Sequence, residues 1–134
     1  MHFHRVEVGV GANGLPDAWR HVVVGQSLLM GTPFEAFAVK NGVDQTAVEG
    51  AADTHYNIPN LHVSVHHPKV NVPVLWWRSV GHTHNAFVME TLIDELATRA
   101  PHGSDSLSTT ATQAGSEEAV ASARSAGESE RWLA

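Results

Sequence analysis

Residues 70–99 read VNVPVLWWRSVGHTHNAFVMETLIDELATR and carry the clearest structural signal in the chain. Apolar residues recur at every second position from Val70 to Trp76, the pattern of a strand, and Pro73 places that strand at a sheet edge or interrupts it. The pattern then changes to the period of a helix, and the face it would bury comprises Ala86, Met89, Ile93, Leu96 and Ala97. We therefore predict a strand over Val70–Trp77, a loop, and a long helix from about Asn85 to Arg99.

Upstream of this stretch, three further segments alternate between apolar and polar residues. These segments predict strands near Val6–Val10, Ala18–Val24 and Leu61–His66, and the Asn-Gly pair at 13–14 predicts a hairpin between the first two. Thr32-Pro33-Phe34-Glu35 predicts the start of a short helix that ends by Asn41-Gly42, and a second short helix is expected at about 44–51. The fold class that follows is α+β, with antiparallel strands and one long helix.

The composition limits the classes of function. The chain has 134 residues, no cysteine and a formal net charge of -6, so it offers no thiolate ligand or nucleophile and no basic surface for nucleic acid. No apolar run is long enough to span a membrane, and the amino terminus lacks the apolar core of a signal peptide. The sequence leaves open whether the compartment is cytoplasmic or periplasmic.

The last part of the chain has a different composition. Residues 101–134 are dominated by Ser, Ala, Thr, Gly and Glu, with few apolar residues. Such a segment cannot bury enough apolar surface to form a domain. We interpret residues 1–100 as folded and residues 101–134 as a disordered, low-complexity tail.

Histidine is unusually frequent, with 10 residues in the chain. The pairs His2/His4, His62/His66 and His82/His84 have spacings that metal sites use, but a zinc or copper site needs further ligands that no motif supplies. His62 and His66 fall on the polar face of a strand, where exposure to solvent is the simpler reading. We predict no metal site, and without a Gly-x-Ser-x-Gly motif a serine hydrolase is also disfavoured.

The junction between the predicted strand and the long helix is the candidate site. The backbone N–H groups at a helix amino terminus attract anions, and two adjacent tryptophans would exclude water there. The alternative is that Trp76 and Trp77 belong to the core and that Arg78 is a surface residue. The pattern alone does not decide between the two.

Several segments resemble one enzyme family in order along residues 5–99. They are Val24-Gly25-Gln26-Ser27, Gly31-Thr32-Pro33-Phe34-Glu35, Val48-Glu49-Gly50-Ala51-Ala52-Asp53, His55-Tyr56-Asn57-Ile58-Pro59-Asn60, Pro73 to Gly81, and Asn85 to Ala97. The chain resembles the molybdopterin-binding large subunit of the xanthine dehydrogenase and aldehyde oxidase family, in particular the isoquinoline 1-oxidoreductase beta-subunit and aldehyde dehydrogenase branch.

The resemblance implies an activity and a set of site residues. Members hydroxylate aldehydes or N-heteroaromatic carbons with oxygen from water, using a molybdenum cofactor and an iron–sulfur partner subunit. By resemblance, Arg78, Ser79 and Gly81 are cofactor-binding, and Val80 and Trp77 belong to the substrate pocket. Val80 replaces the Phe of xanthine-specific members, and Ala47 falls where those members have a substrate-binding arginine, so a less polar substrate than xanthine is expected.

The resemblance also implies that parts of the family's large subunit are missing from this sequence. No glutamate matches the family's catalytic base in its Gly-x-Gly-Glu context, so no catalytic residue is assigned, and the family's Asp-Pro-x-x-Tyr/Phe-Arg segment after the long helix is absent. A one-base frameshift in the coding of residues 102–108 is compatible with that missing segment. We therefore expect a fragment that is inactive alone, retains no molybdopterin and self-associates through uncovered apolar faces. The alternative is a small non-enzymatic binding or interaction protein derived from such a fragment.

Overall fold

The computed structural model describes residues 1–99, and the predicted tail at 101–134 lies outside this range. The elements in chain order are β1 (His2–Val10), β2 (Pro16–Gly25), α1 (Glu35–Ala38), β3 (Val39–Lys40), β4 (Val43–Asp44), a 3₁₀ turn (Gln45–Ala47), β5 (Asn60–His66) and α2 (His82–Arg99). The α+β class and the long helix are confirmed.

A three-stranded sheet in the order β1-β2-β5 forms the centre of the fold. The predicted hairpin is present, because β1 and β2 pair antiparallel with Val6 opposite His21. β5 joins β2 in parallel, with Trp19 opposite Leu61, so the sheet is mixed and only its first pair has the expected antiparallel direction. The parallel pair requires a long crossover, and residues 26–59 between β2 and β5 provide it.

The core lies between the sheet and α2. Trp19, Ile58, Met89 and Ile93 form a buried cluster, and partly buried apolar residues surround it, namely Val6, Val8, Tyr56, Leu61, Leu92 and Leu96. The helical period predicted Met89, Ile93 and Ala97 as buried, and this is confirmed, whereas Ala86 is exposed. Removing the large side chains of this cluster from water is the main driving force for packing α2 on the sheet.

The predicted strand over Val70–Trp77 is wrong. This segment has no regular secondary structure, bends at 71–72, and pairs with no strand among the described residues. Pro68 and Pro73 lack the backbone N–H that a neighbouring strand would bind. Without a neighbouring strand, the alternation of apolar and polar side chains does not stabilise a strand. We call residues 68–77 the unpaired segment.

The short helical elements lie close to the positions that local sequence signals predicted. Thr32 Oγ1 accepts from the N–H of Phe34 at 3.2 Å, and Glu35 Oε2 accepts from the N–H of Gly31 at 2.7 Å. The predicted capping side chains therefore bind backbone N–H groups that precede α1, which is a single turn. Asn41 and Gly42 have positive φ, as expected of a stop signal. The helix expected at 44–51 is reduced to the 3₁₀ turn followed by turns.

α2 begins earlier than predicted, at His82 instead of Asn85. Asn85 is fully buried, and its Nδ2 donates to the carbonyls of Ala47 at 3.0 Å and Glu49 at 2.8 Å. These bonds fasten the first turn of α2 to the crossover. No helix within residues 1–99 combines the length and the apolar character needed to cross a membrane.

Candidate functional site

An apolar groove of about 760 Å³ lies at the edge of the sheet where β1 begins and β2 ends. The unpaired segment forms one side of it, and the crossover and the first turn of α2 form the other. The groove is lined by residues from all of these parts, among them Phe3, Val24, Ala47, Val74, Trp77, Val80 and His84. A concave apolar surface with few polar groups is the usual form of a small-molecule site.

The unpaired segment is unusually apolar for a surface. Leu75 is 90% exposed, Trp77 79% and Trp76 56%. The ring of Trp76 meets the ring of Phe34 edge-on, with 6.4 Å between the centroids. The alternative that Trp76 and Trp77 belong to the core is therefore wrong, because no second layer covers the segment within the described residues.

Val80 occupies a strained turn between the unpaired segment and α2. Its φ is +43°, a left-handed conformation that β-branched residues rarely adopt. The turn is closed by the N–H of Val80, which donates to the carbonyl of Trp77 at 3.2 Å, and by the N–H of Thr83, which donates to the carbonyl of Val80 at 3.3 Å. Such strain persists only where the surroundings enforce it, and it concentrates at functional sites.

Gly81 is needed for packing within this chain. A Cβ at this position would overlap the carbonyl oxygen of Thr46 and approach the Glu49 side chain. The crossover backbone thus fills the space that a glycine in a cofactor loop would leave for a ligand. Ser79 is likewise engaged internally, because its Oγ shares a hydrogen bond of 2.6 Å with Thr83 Oγ1.

Arg78 is exposed and has no ion-pair or hydrogen-bond partner among residues 1–99. It is the one residue of the expected cofactor-binding set whose polar group is available to an anionic ligand. Arg78 and Ser79 do not line the groove, whereas Gly81 does. Arg78 carries the one charge among these three residues, and their role in binding a cofactor stays a prediction.

The two residues expected in the substrate pocket both line the groove. Trp77 and Val80 face it, and so does Ala47, the position that resembles the arginine site of xanthine enzymes. Ala47 is 8% exposed, so a longer side chain at this position would enter the groove or displace the crossover. The groove therefore unites positions that lie far apart in the chain.

A buried carboxylate organises the crossover beside the groove. Asp44 Oδ2 accepts from Ser27 Oγ at 2.5 Å and from the N–H groups of Leu28 and Leu29, and its Oδ1 accepts from the N–H and Oγ1 of Thr46. Burial acts to raise the pKa of Asp44, but the hydrogen bonds from Ser27, Thr46 and Leu29 outweigh burial and hold this pKa below its ordinary value. The carboxylate is thus ionised and structural. Its role was not recognised in the sequence, where Asp44 marked only the start of an expected short helix.

Four histidines come together next to the groove, and we call His2, His4, His21 and His84 the histidine cluster. His4 Nδ1 lies 2.8 Å from His21 Nε2, the His2 and His84 rings stack at 3.8 Å, and the His4 and His84 centroids are 5.0 Å apart. Sequence spacing indicated the pairs 2/4 and 82/84 but missed His21. The hairpin register could have found it, because His21 faces Val6 and is diagonal to His4.

The other histidines behave differently. His62 and His66 are exposed on β5, as predicted, and His82 points to Glu49 with its Nδ1 3.5 Å from Oε2. Within residues 1–99, no group of three or more histidine or acidic side chains has a geometry that could hold a metal ion.

No known protein-family model matches the sequence, and neither the curated proteins nor the solved structures include a significant match.

Proposed function

We propose that this chain supplies one wall of the substrate pocket in the large subunit of a molybdenum hydroxylase that oxidises aldehydes or N-heteroaromatics with oxygen from water. The observation that carries the proposal is the meeting of Ala47, Trp77 and Val80 in one groove. The family resemblance assigns these positions to substrate contact from sequence alone, and the folding of the chain brings them together.

The groove favours an apolar, planar substrate over a purine. Val80 offers a small aliphatic contact where xanthine enzymes stack a phenylalanine, and Ala47 offers no charge to a polar ring substituent. Trp77, on the other side, presents an aromatic surface. In this proposal the residues bind and orient the substrate. The molybdenum cofactor, held mainly by other parts of the large subunit, would supply the redox chemistry, and an iron–sulfur subunit would remove the electrons.

The proposal is tested by supplying the missing parts. The gene locus is sequenced, and the chain is produced together with any downstream cofactor-binding region and iron–sulfur subunit that the locus encodes. We expect molybdenum incorporation and dye-linked oxidation of an aldehyde or isoquinoline only in the complete assembly. A locus without such coding regions, or turnover by the isolated chain, contradicts the proposal.

A matched pair of variants then tests the groove. Val80→Ala shortens a side chain that lines the groove and should raise KM for isoquinoline in the assembled enzyme by about tenfold, the effect of losing an apolar contact. Phe87→Ala, on the exposed face of α2, is the control and should leave KM unchanged. Equal effects of the two variants would argue against substrate contact at Val80.

A second candidate is a non-enzymatic binding or interaction protein, which the exposure of Leu75 and Trp77 favours. Exposed apolar patches of this kind mark binding surfaces or lead to self-association. Sedimentation of the isolated chain over a range of concentrations separates the candidates. Concentration-dependent association that Trp77→Ser abolishes, together with a locus lacking enzyme subunits, would favour this second function.

A further inference from the structure

The shortest contact in the histidine cluster requires that at least one of its two rings is neutral. One nitrogen of the His4–His21 pair must donate and the other must accept, so doubly protonated rings would set two N–H groups against each other. The remaining ring nitrogens, His4 Nε2 and His21 Nδ1, are buried without a hydrogen-bond partner, and so is His84 Nδ1. In either arrangement of the neutral pair, one of His4 Nε2 and His21 Nδ1 already carries a proton, and a proton added to the other would be buried without an acceptor. The side chain of Asn85 can accept a hydrogen bond from His84 and acts to raise the pKa of His84, but burial outweighs this effect.

Burial and mutual repulsion both disfavour charge on the cluster. Desolvation, followed by the proximity of the other imidazoles, lowers the pKa of His21 and of His84 to about 4. The pKa values of His2 and His4 are also lowered, again mainly by burial. The titratable groups that act on His2 from outside the cluster are the amino terminus and the imidazole of His67, and both lower its pKa. No carboxylate within residues 1–99 compensates for a positive charge here.

The cluster also bridges separate parts of the groove wall. His2 and His4 lie on β1, His21 lies on β2, and His84 lies in the first turn of α2. The stacked rings of His2 and His84 both line the groove, as do Met1 and Phe3. Loss of the stack would therefore free the amino-terminal end of β1 from the start of α2.

We infer that the histidine cluster is an acid-sensitive latch, which keeps β1 against α2 when neutral and opens this side of the groove when protonated. The direction of this pH dependence follows from the difference in proton binding between the closed and open states. Between the unfolded-state pKa of 6.5 and the folded-state values near 4, the open or unfolded chain binds more protons than the closed one. The closed state is thus fully favoured above pH 6.5 and loses its advantage as the pH falls towards 4.

Hydrogen exchange on the full chain, followed by mass spectrometry and corrected for intrinsic rates, measures the opening between about pH 7 and about pH 4. We expect protection of residues 82–86 to fall by roughly tenfold or more while residues 19–24 of β2 stay protected. A simultaneous loss of protection in β2 would mean global unfolding and would overturn the latch.

Two variants assign the effect to the cluster. His84→Phe retains a ring for stacking but cannot be protonated, so it should reduce the local loss of protection at low pH by about threefold relative to the wild type. His62→Gln alters an exposed histidine on β5 and should behave as the wild type. An unaltered pH response in His84→Phe would overturn the inference.

An NMR titration of the wild-type imidazoles provides a test that does not depend on the folding of a variant. His21 and His84 should titrate well below the ordinary value of 6.5. Ordinary values near 6.5 for His21 and His84 would refute the latch, and so would a response that disappears on adding a chelator, because the latter indicates a bound metal instead.

Discussion

The core beneath α2 and the unpaired segment are both rich in large apolar side chains, yet they are buried to opposite extents. Trp19 is 1% exposed and contacts the helix, whereas Trp77 is 79% exposed. The difference lies in the partner surface: β2 is flanked by two strands and covered by α2, while residues 68–77 have neither a paired strand nor a covering layer within residues 1–99. Apolar composition therefore indicates what a segment tends to bury, and only a facing element determines whether it does.

The largest expected effect is on the core. Trp19→Ala should lower the free energy of unfolding by about 3–5 kcal/mol, because it removes the largest side chain of the buried cluster and leaves a cavity. Trp77→Ala is the matched control and should change stability by less than about 0.5 kcal/mol. Urea denaturation followed by circular dichroism measures both, and similar losses would show that the unpaired segment is in fact covered.

The stability of the crossover beside the groove should depend on Asp44. Asp44→Asn replaces an acceptor with a donor facing Ser27 and backbone N–H groups, and should cost about 2–3 kcal/mol through unsatisfied buried polar groups. The loss should shrink as the pH falls, since the wild-type carboxylate has a lowered pKa and its stabilising effect is lost as it protonates. Asp53→Asn, at an exposed position, is the control. A pH-independent difference between Asp44→Asn and the wild type would contradict this account.

A smaller effect is expected at the junction of the two regions. Gly81→Ala should cost about 1–3 kcal/mol, because the added methyl meets the rigid carbonyl of Thr46. Ser79→Ala, two residues away, should cost about 0.5 kcal/mol or less, because the hydrogen bond to Thr83 that it removes is exposed to solvent. If Gly81→Ala is also neutral in thermal unfolding, the tight contact between α2 and the crossover is not present in solution.

The smallest expected effect has the opposite sign. Val80→Gly should stabilise the chain by about 0.5–1 kcal/mol at most, since glycine adopts a φ of +43° without the strain of a β-branched residue. The gain is reduced by the apolar contact that Val80 makes with the groove wall. Differential scanning calorimetry decides the sign, and a clear destabilisation would mean that packing of the Val80 side chain outweighs its backbone strain.

Sequence reasoning predicted the elements whose signals are local. The hairpin with its Asn-Gly turn and the buried positions Met89 and Ile93 of the long helix follow from spacing alone, because period two and period 3.6 are properties of the backbone. The same reasoning failed for Val70–Trp77, since a strand needs a partner that the pattern does not reveal. Trp77 and Val80 were singled out by resemblance, and the groove they line was not foreseen.

By itself, the amino-acid sequence determined the α+β class, the apolar face of α2 and the exposed histidines of β5. Only the tertiary structure decided that β5 joins in parallel, that Asp44 is a buried acceptor and that His21 completes a cluster with His2, His4 and His84. Each of these depends on which distant segments meet. Contacts of that kind are set by the burial of the whole chain, and no local period encodes them.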